Sequence, residues 1–469
     1  MRILLVNPPP FHRAVTSSQR IMAESAQYPP LGLLYLAASV RRQDPTAEIR
    51  LLDAYDFRNS VDEIKPVIRE FRPDILGLTA NTWLWGDCLA LAQCAKQAMP
   101  KLQVTMGGYH LSIYPGESIM SPAVDSIVIG EGEDVFPEMI ARLTAGHSLE
   151  GLAGVWFKRQ GQVVRNPPAG RIEDLDRLAF PERELLPNRR RYTFSTDPEV
   201  RTTTMLSSRG CPYQCLFCNS FGRYIMRSPE NVVAEMAVCR AQGFESINFV
   251  DDGFNIDLAR TKRLCDRIEE ASLGLTWSFR GRVDGMDEEL AAKLARAGCR
   301  RVNFGMESGS DRILGLIGKR ASVAEGRRAV RIVKQAGLSP VGYFIVGFPG
   351  ETEAEFQATV RLARESPFDY VQFNTLMIFP KTRLNDLAVE QGVLAADYFD
   401  RYLKNPAGRL MIPLWTADRP RAALIRMMRR AYRSFYLRPS YVWARLREVR
   451  SWRELRKKAR MAIYAFTGA

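Results

Sequence analysis

The sequence predicts an α/β protein with an N-terminal doubly wound parallel sheet, a partial (β/α)6 barrel and a helical C-terminal tail. Three observations carry that expectation. Short apolar runs alternate with helical stretches over residues 1–150, six more strand-and-helix units follow from residue 201, and the positive charge gathers beyond residue 416. Strands separated by helices imply parallel sheets covered on both faces. Six units fall short of the eight that close a barrel, so an open arc is the economical form.

In chain order, I-L-L-V-N (3–7) is a buried strand stopped by three prolines, and helical spacing runs from Leu31 to Arg41 after a Y-P-P break. E-I-R-L-L-D, D-I-L-G-L-T, Q-V-T-M-G-G and S-I-V-I-G supply four further strands, with a helix over Cys88–Met99. Ligands of such sheets sit beyond the carboxyl ends of the strands. Those ends carry Asn7, Thr79, Gly107, Gly108 and Gly130, small or polar residues that let a flat ligand approach the backbone. Residues 151–200 read as a spacer, a hairpin turning near Gly161 followed by a Pro- and Arg-rich crossing. The second series, 201–395, places strands near 203–207, 246–251, 275–281, 301–306, 340–346 and 370–377. Residues 396–469 form a basic helical region. Within 418–438, Leu424, Met428, Ala431 and Phe435 share one helical face, and Arg426, Arg430 and Arg433 occupy another.

Composition bounds the function. With 469 residues, 46% apolar and 25% charged, the chain can build two or three ordinary cores and is not disordered. No stretch approaches the roughly 18 uncharged apolar residues of a membrane span, and the apolar start breaks too early for a signal peptide, so a cytoplasmic location is expected. The net charge of +14 is mostly tail: residues 417–469 hold 15 Lys and Arg against 3 Asp and Glu. The body is nearly neutral, which argues against a nucleic-acid partner. The basic tail is expected either to cap the open barrel or to make peripheral contact with an anionic inner membrane face.

The chemistry is concentrated in S-S-R-G-C-P-Y-Q-C-L-F-C-N-S, where Cys211, Cys215 and Cys218 follow the first barrel strand with spacing C-x3-C-x2-C. Three thiolates on one loop can hold three irons of a 4Fe-4S cluster and leave the fourth iron open. A structural zinc would need a fourth ligand. The next cysteine, Cys239, lies 21 residues beyond Cys218, and no histidine follows His147.

This spacing, with Phe217 just before the last cysteine, resembles the signature of the radical S-adenosylmethionine superfamily. The resemblance implies a cluster on the three cysteines that binds S-adenosylmethionine and cleaves it reductively to methionine and a 5′-deoxyadenosyl radical, fed by an electron donor such as flavodoxin or ferredoxin. It also implies cofactor contacts from Asp251 in F-V-D-D-G-F, from Arg280 or Arg282 in S-F-R-G-R-V-D, and from Glu307 in F-G-M-E-S-G-S. Asp252 is either a further contact or a helix N-cap. Y-F-I-V-G-F-P-G-E-T (343–352) would line the adenine, with a capping turn as the other account of Glu351 and Thr352.

Y-P-P-L-G-L-L-Y-L-A (28–37), M-G-G-Y-H-L-S-I-Y-P-G-E (106–117) and I-G-E-G-E-D-V-F (129–136) are similar to the flavodoxin-like cobalamin-binding domain fused ahead of many radical enzymes. Implied contacts are Asn7, Thr79, Gly107, Gly108, His110, Gly130, Glu131 and Gly132. The D-x-H-x-x-G loop that ligates cobalt from below is absent, so cobalamin is expected without a lower histidine. Trp83 or Trp85 would screen that face, and His12, although close to the first strand end, is not expected to be a lower ligand. Together the two resemblances imply a class B methyltransferase-like enzyme that methylates an unactivated carbon of a small molecule such as a lipid, pigment or natural-product intermediate. Cyclisation or ring rearrangement with the same cofactors is the first alternative, and a non-catalytic cobalamin sensor or carrier the second.

Overall fold

The computed structural model describes residues 1–10, 28–53, 56–57, 60–186, 192, 200–219, 222–404 and 410–447. They fall into two compact units. One holds the described residues up to 189 together with those of 396–411, and the other holds those of 190–395 and 412–469. Among the described residues no helix is long and apolar enough to cross a membrane.

The first unit is a seven-stranded sheet of β1 (Arg2–Val6), β2 (Glu48–Leu52), β3 (Ile75–Thr79), β4 (Gln103–Gly107), β5 (Ser126–Val128), β6 (Val155–Arg159) and β7 (Gln162–Arg165), in the order β2-β1-β3-β4-β5-β6-β7. The first five pair in parallel. Their order 2-1-3-4-5 is the flavodoxin-like doubly wound arrangement, which reverses direction between β1 and β3. Helices over 31–43, 64–71, 85–98 and 135–144 cover the sheet. Ile3, Leu4, Leu5 and Val6 are all buried, as a strand enclosed on both faces requires.

The hairpin expected as a spacer belongs to this sheet. β6 adds antiparallel to β5, and β7 to β6. The crossing that follows also packs on this unit, where it buries Ile172, Leu175, Leu178 and Leu186. Glu131 accepts a hydrogen bond from Ile172 N at 2.7 Å, and Leu34 O accepts one from Glu182 N at 3.1 Å. A Pro-rich tract without periodicity conceals such apolar anchors, because each is separated from the next by polar residues.

The second unit contains β8 (Thr202–Met205), a short antiparallel pair β9 (Ser208–Arg209) and β10 (Ile225–Met226), and then β11 (Ser246–Phe249), β12 (Thr276–Gly281), β13 (Cys299–Glu307), β14 (Ser339–Val346) and β15 (Tyr370–Thr375). Six strands pair in parallel in chain order, β8-β11-β12-β13-β14-β15. A singly wound sheet of six strands, with helices between them, is the open (β/α)6 arc expected. Helix starts are fixed by side-chain caps that accept backbone N–H groups: Ser228, Asp257, Asp287, Ser310, Ser322, Thr352 and Thr382. All but Ser322, which starts a helix that follows another helix, cap the first helix after a strand, and because the six strands are parallel their carboxyl ends share one rim.

The helix over Arg421–Tyr436 closes the β15 edge of this arc. Leu424, Met428, Ala431 and Phe435 are buried as the helical spacing required, while Arg426, Arg430 and Arg433 are exposed. Tyr436 takes the place of a missing strand: its hydroxyl donates to Val371 O at 2.6 Å and accepts from Val371 N at 3.0 Å.

Candidate active site

The rim of the arc is organised around the turn from β8 into the cysteine loop. Asp251, after β11, is 1% exposed and accepts hydrogen bonds from Ser207 N at 2.9 Å, Ser207 Oγ at 2.6 Å and Ser208 Oγ at 2.6 Å. Arg260 donates Nη2 to Ser207 O at 2.8 Å, and Arg227 donates Nη1 to Leu206 O at 2.8 Å while pairing with Glu235 at 2.5 Å. Each buried charge here is hydrogen-bonded, and Arg227 and Glu235 are also an ion pair, the condition under which burial is tolerated. Gly210 completes the turn at φ +79°, where a Cβ would stand 2.0 Å from Arg223 O, so only glycine fits.

The other side of the loop is fastened to later rim segments. Leu216 N donates to Ile317 O at 2.9 Å, and Asn219 Nδ2 donates to Pro380 O at 2.9 Å. Arg282 stacks its guanidinium 3.6 Å above the Tyr213 ring and donates to Asp284 Oδ1 at 2.7 Å and Lys319 O at 2.6 Å. The Phe217 ring lies 6.3 Å from that of Phe348, which follows β14.

These contacts redistribute the roles read from sequence. Asp251 and Arg282 are braces of the loop, because their polar atoms are committed to internal partners and both are buried. Asp252 is exposed, accepts from Gly210 N and feels the charge of Arg280, which is also exposed. The N-cap of the helix that follows is Asp257. Of the two alternatives the sequence left open at each strand end, the exposed pair beside the cysteines is Asp252 and Arg280; only the rim geometry distinguishes such neighbours. Glu307 lies at the end of β13 with φ +59° and accepts from Lys319 Nζ at 2.8 Å. Thr352 is the N-cap of its helix, and Glu351 closes the preceding turn by accepting from Gly347 N at 2.7 Å.

All eight cysteines are thiols rather than disulfides, and Cys239 is buried within its helix. Burial raises the affinity of the Cys215 thiol for its proton, while Lys319 and Arg282 oppose that effect. Among the described residues no three Cys, His, Asp or Glu side chains converge on the position of a single ion. A cluster binds each thiolate at a different iron, so its ligands stand farther apart than those of one ion. Three thiols spread along one braced loop suit that donor pattern.

In the first unit, a cleft of 270 Å³ opens beyond β1 and β3, where the sheet order reverses. Asn7, Gly32, Thr79, Asn81, Leu84 and Tyr109 are among its lining residues. Asn7 is held by Asp53, to which its Nδ2 donates at 2.6 Å. A Cβ at Gly32 would meet nothing within 4 Å, so the cleft is open at the helix start. Asn7 and Thr79 thus stand where the strand-end rule put them, and Asn81, Leu84 and Tyr109 join them.

The remaining residues expected there do other work. Gly108, at φ +102°, allows β4 to approach the 79–81 loop, since a Cβ would stand 2.7 Å from Ala80 O. Gly107 and Gly130 are outside the lining, Gly132 packs against Leu36, and Glu131 ties down the crossing at Ile172. His110 is a core residue at 0% exposure, stacked 4.4 Å from Trp85 and bonded through Nδ1 to Thr82 Oγ1 at 3.2 Å. Burial pushes its pKa down to about 3. Trp85 is buried with it, and Trp83 does not line the cleft; Leu84 and Asn81 are what this loop presents. His147 is exposed elsewhere, and His12 lies outside the described residues. The small, polar and apolar side chains of this lining let a flat ligand approach the strand ends.

The two folds and the three-thiol loop define a radical enzyme with a second cofactor domain. The Radical SAM superfamily is matched over residues 205–363 and the B12 binding domain over residues 23–140. A Pyrococcus horikoshii protein described as an uncharacterized methyltransferase is 34% identical over 446 residues, covering 94% of this chain and 93% of its own. The anaerobic magnesium-protoporphyrin IX monomethyl ester cyclase of Rubrivivax gelatinosus is 27% identical, covering 94% of this chain and 78% of its own. The radical S-adenosylmethionine methyltransferase TsrM of Kitasatospora setae shares the fold, with a TM-score of 0.66 at 23% identity over 83% of this chain and 76% of that one. The chain belongs to the radical S-adenosylmethionine superfamily, among the members that carry a B12-binding domain.

Proposed function

We propose that the protein is a cobalamin-dependent radical S-adenosylmethionine methyltransferase that methylates an unactivated carbon of a small molecule. The observation that carries this reading is the braced loop of Cys211, Cys215 and Cys218 at the rim of an open parallel arc, in a chain that also carries a B12-binding domain. When bound, the cluster would supply an electron to S-adenosylmethionine and cobalamin a transferable methyl group.

The chain's own residues bind and orient. The three thiolates ligate the cluster; Asp252 suits the ammonium and Arg280 the carboxylate of the methionine moiety; Glu307 offers its carboxylate at the end of β13. Thr79, Asn81 and Leu84 present the cleft wall to the corrin. The reading requires a low-potential electron carrier, a flavodoxin or ferredoxin, as partner. The exposed arginines of helix 421–436 leave room for electrostatic contact with an anionic membrane, but its apolar face is already buried on the arc.

The test is anaerobic reconstitution with iron, sulfide and cobalamin, followed by absorption spectra and an assay for 5′-deoxyadenosine. Cys215→Ala is expected to lose the cluster absorption and the 5′-deoxyadenosine while keeping the corrin band; normal cofactor cleavage by that variant would sink the mechanism. A second reading, ring formation rather than methyl transfer, is favoured by the 27% identity to a cyclase over 94% of the chain. Product mass separates them, since methylation adds one CH2 and ring closure removes hydrogen or adds oxygen.

A further inference from the structure

We propose that Lys319, paired with Glu307 beside Cys215, is the counter-charge that sets the reduction potential of the cluster, an inference that rests on the cluster reading above. β13 breaks register between Gly305 and Glu307, and Glu307 takes a left-handed φ of +59° that non-glycine residues adopt only at a cost. Such a conformation persists only where the surroundings impose it. Here Lys319 Nζ donates to Glu307 Oε1 at 2.8 Å, with both side chains 10% exposed. The space for the pair is made by Gly305, where a Cβ would stand 2.5 Å from Glu307 Oε1 and 2.8 Å from Lys319 Nζ.

The same segment is fastened to the cysteine loop. Ile317 O accepts from Leu216 N at 2.9 Å, Gly318 O lies 4.0 Å from Cys215 Sγ, and Lys319 O accepts from Arg282 Nη2 at 2.6 Å. The backbone thus holds the segment that carries the ammonium and its carboxylate partner against the loop of a cluster ligand. Reduction adds one negative charge to the cluster. A nearby cation favours the reduced form, and a carboxylate that offsets the cation moderates the effect. The two residues must therefore move the potential in opposite directions.

The experiment is an EPR-monitored redox titration of the full-length reconstituted holoprotein, with iron and sulfide content measured alongside. Lys319→Met is expected to lower the ratio of reduced to oxidised cluster at a fixed potential about tenfold, equivalent to about 59 mV for a one-electron couple. Glu307→Gln is expected to raise that ratio by a similar factor, and Lys319→Arg to stay near wild type. If Lys319→Met assembles no cluster, the upward shift in Glu307→Gln and the rescue by Lys319→Arg decide the matter. A pair kept only to fill the rim would lose stability on either substitution and leave the potential in place. Shifts of the same sign in Lys319→Met and Glu307→Gln, or no shift in either, overturn the proposal. A wild-type chain that binds no iron or sulfide overturns the cluster reading with it, whereas an assembled cluster indifferent to both charges overturns this one alone.

Discussion

Glu351 and His110 are buried titratable side chains whose pH dependences oppose each other. Burial raises Glu351 to about 7, although Gly347 N and the nearby Arg419 act the other way. Between about pH 4.3 and 7 the native chain therefore keeps a proton that the unfolded chain has released, and stability falls as pH rises through that window. Glu351→Gln should be near neutral at about pH 4.5 and stabilising by roughly 2–3 kcal/mol at about pH 8, read from denaturant titrations at both values. Equal effects at the two pH values would refute the burial argument. His110 behaves in the opposite sense: with its pKa held down to about 3, the unfolded chain takes up a proton first, and stability is lost as pH falls below about 6.5. His110→Ala should cost roughly 3 kcal/mol through the cavity left between Trp85 and Tyr114. It should leave corrin affinity, measured on the folded fraction by spectrophotometric titration, within about twofold.

At the scale of elements, the cysteine loop works because both of its ends are immobilised by strands and loops distant in sequence. Ser207 and Ser208 are tied to Asp251 and Arg260, and Leu216 to Ile317. Gly210→Ala would force a Cβ into Arg223 O, so the loop must shift. The expected result is iron content below half of wild type with helix content unchanged by circular dichroism, on the order of a 1–3 kcal/mol local penalty. Full iron incorporation would show that the turn tolerates the shift. The C-terminal helix is a second such element. Tyr436→Phe deletes the hydroxyl that satisfies Val371 N and O, at a cost of about 1–2 kcal/mol. Hydrogen exchange at Val371 should accelerate first, because that amide then has only water as its partner. Unchanged protection there would mean that β15 does not depend on the helix.

Across the whole molecule, the two cofactor sites are separable by substitution. Gly32→Phe fills open space in the cleft beyond β1 and β3 and should abolish the corrin band while leaving iron and sulfide stoichiometry intact; retained corrin would remove that cleft as the site. Most strand and helix positions along the chain, the cysteine loop and the apolar face of helix 421–436 were legible in the amino-acid sequence, because each rests on periodicity or spacing along a contiguous stretch. The sequence also placed Asn7 and Thr79, since strand ends can be found from strand patterns. Tertiary structure alone decided that Asp251 and Arg282 brace the loop while Asp252 and Arg280 are exposed, that His110 is core, and that residues 151–186 complete the first sheet. It alone set Lys319 against Glu307. Those outcomes depend on which way a side chain points and on partners distant in sequence, as for Arg282 on Tyr213 and Glu182 on Leu34. Neighbouring residues at a strand end look alike in one dimension and differ only once the packing around them exists.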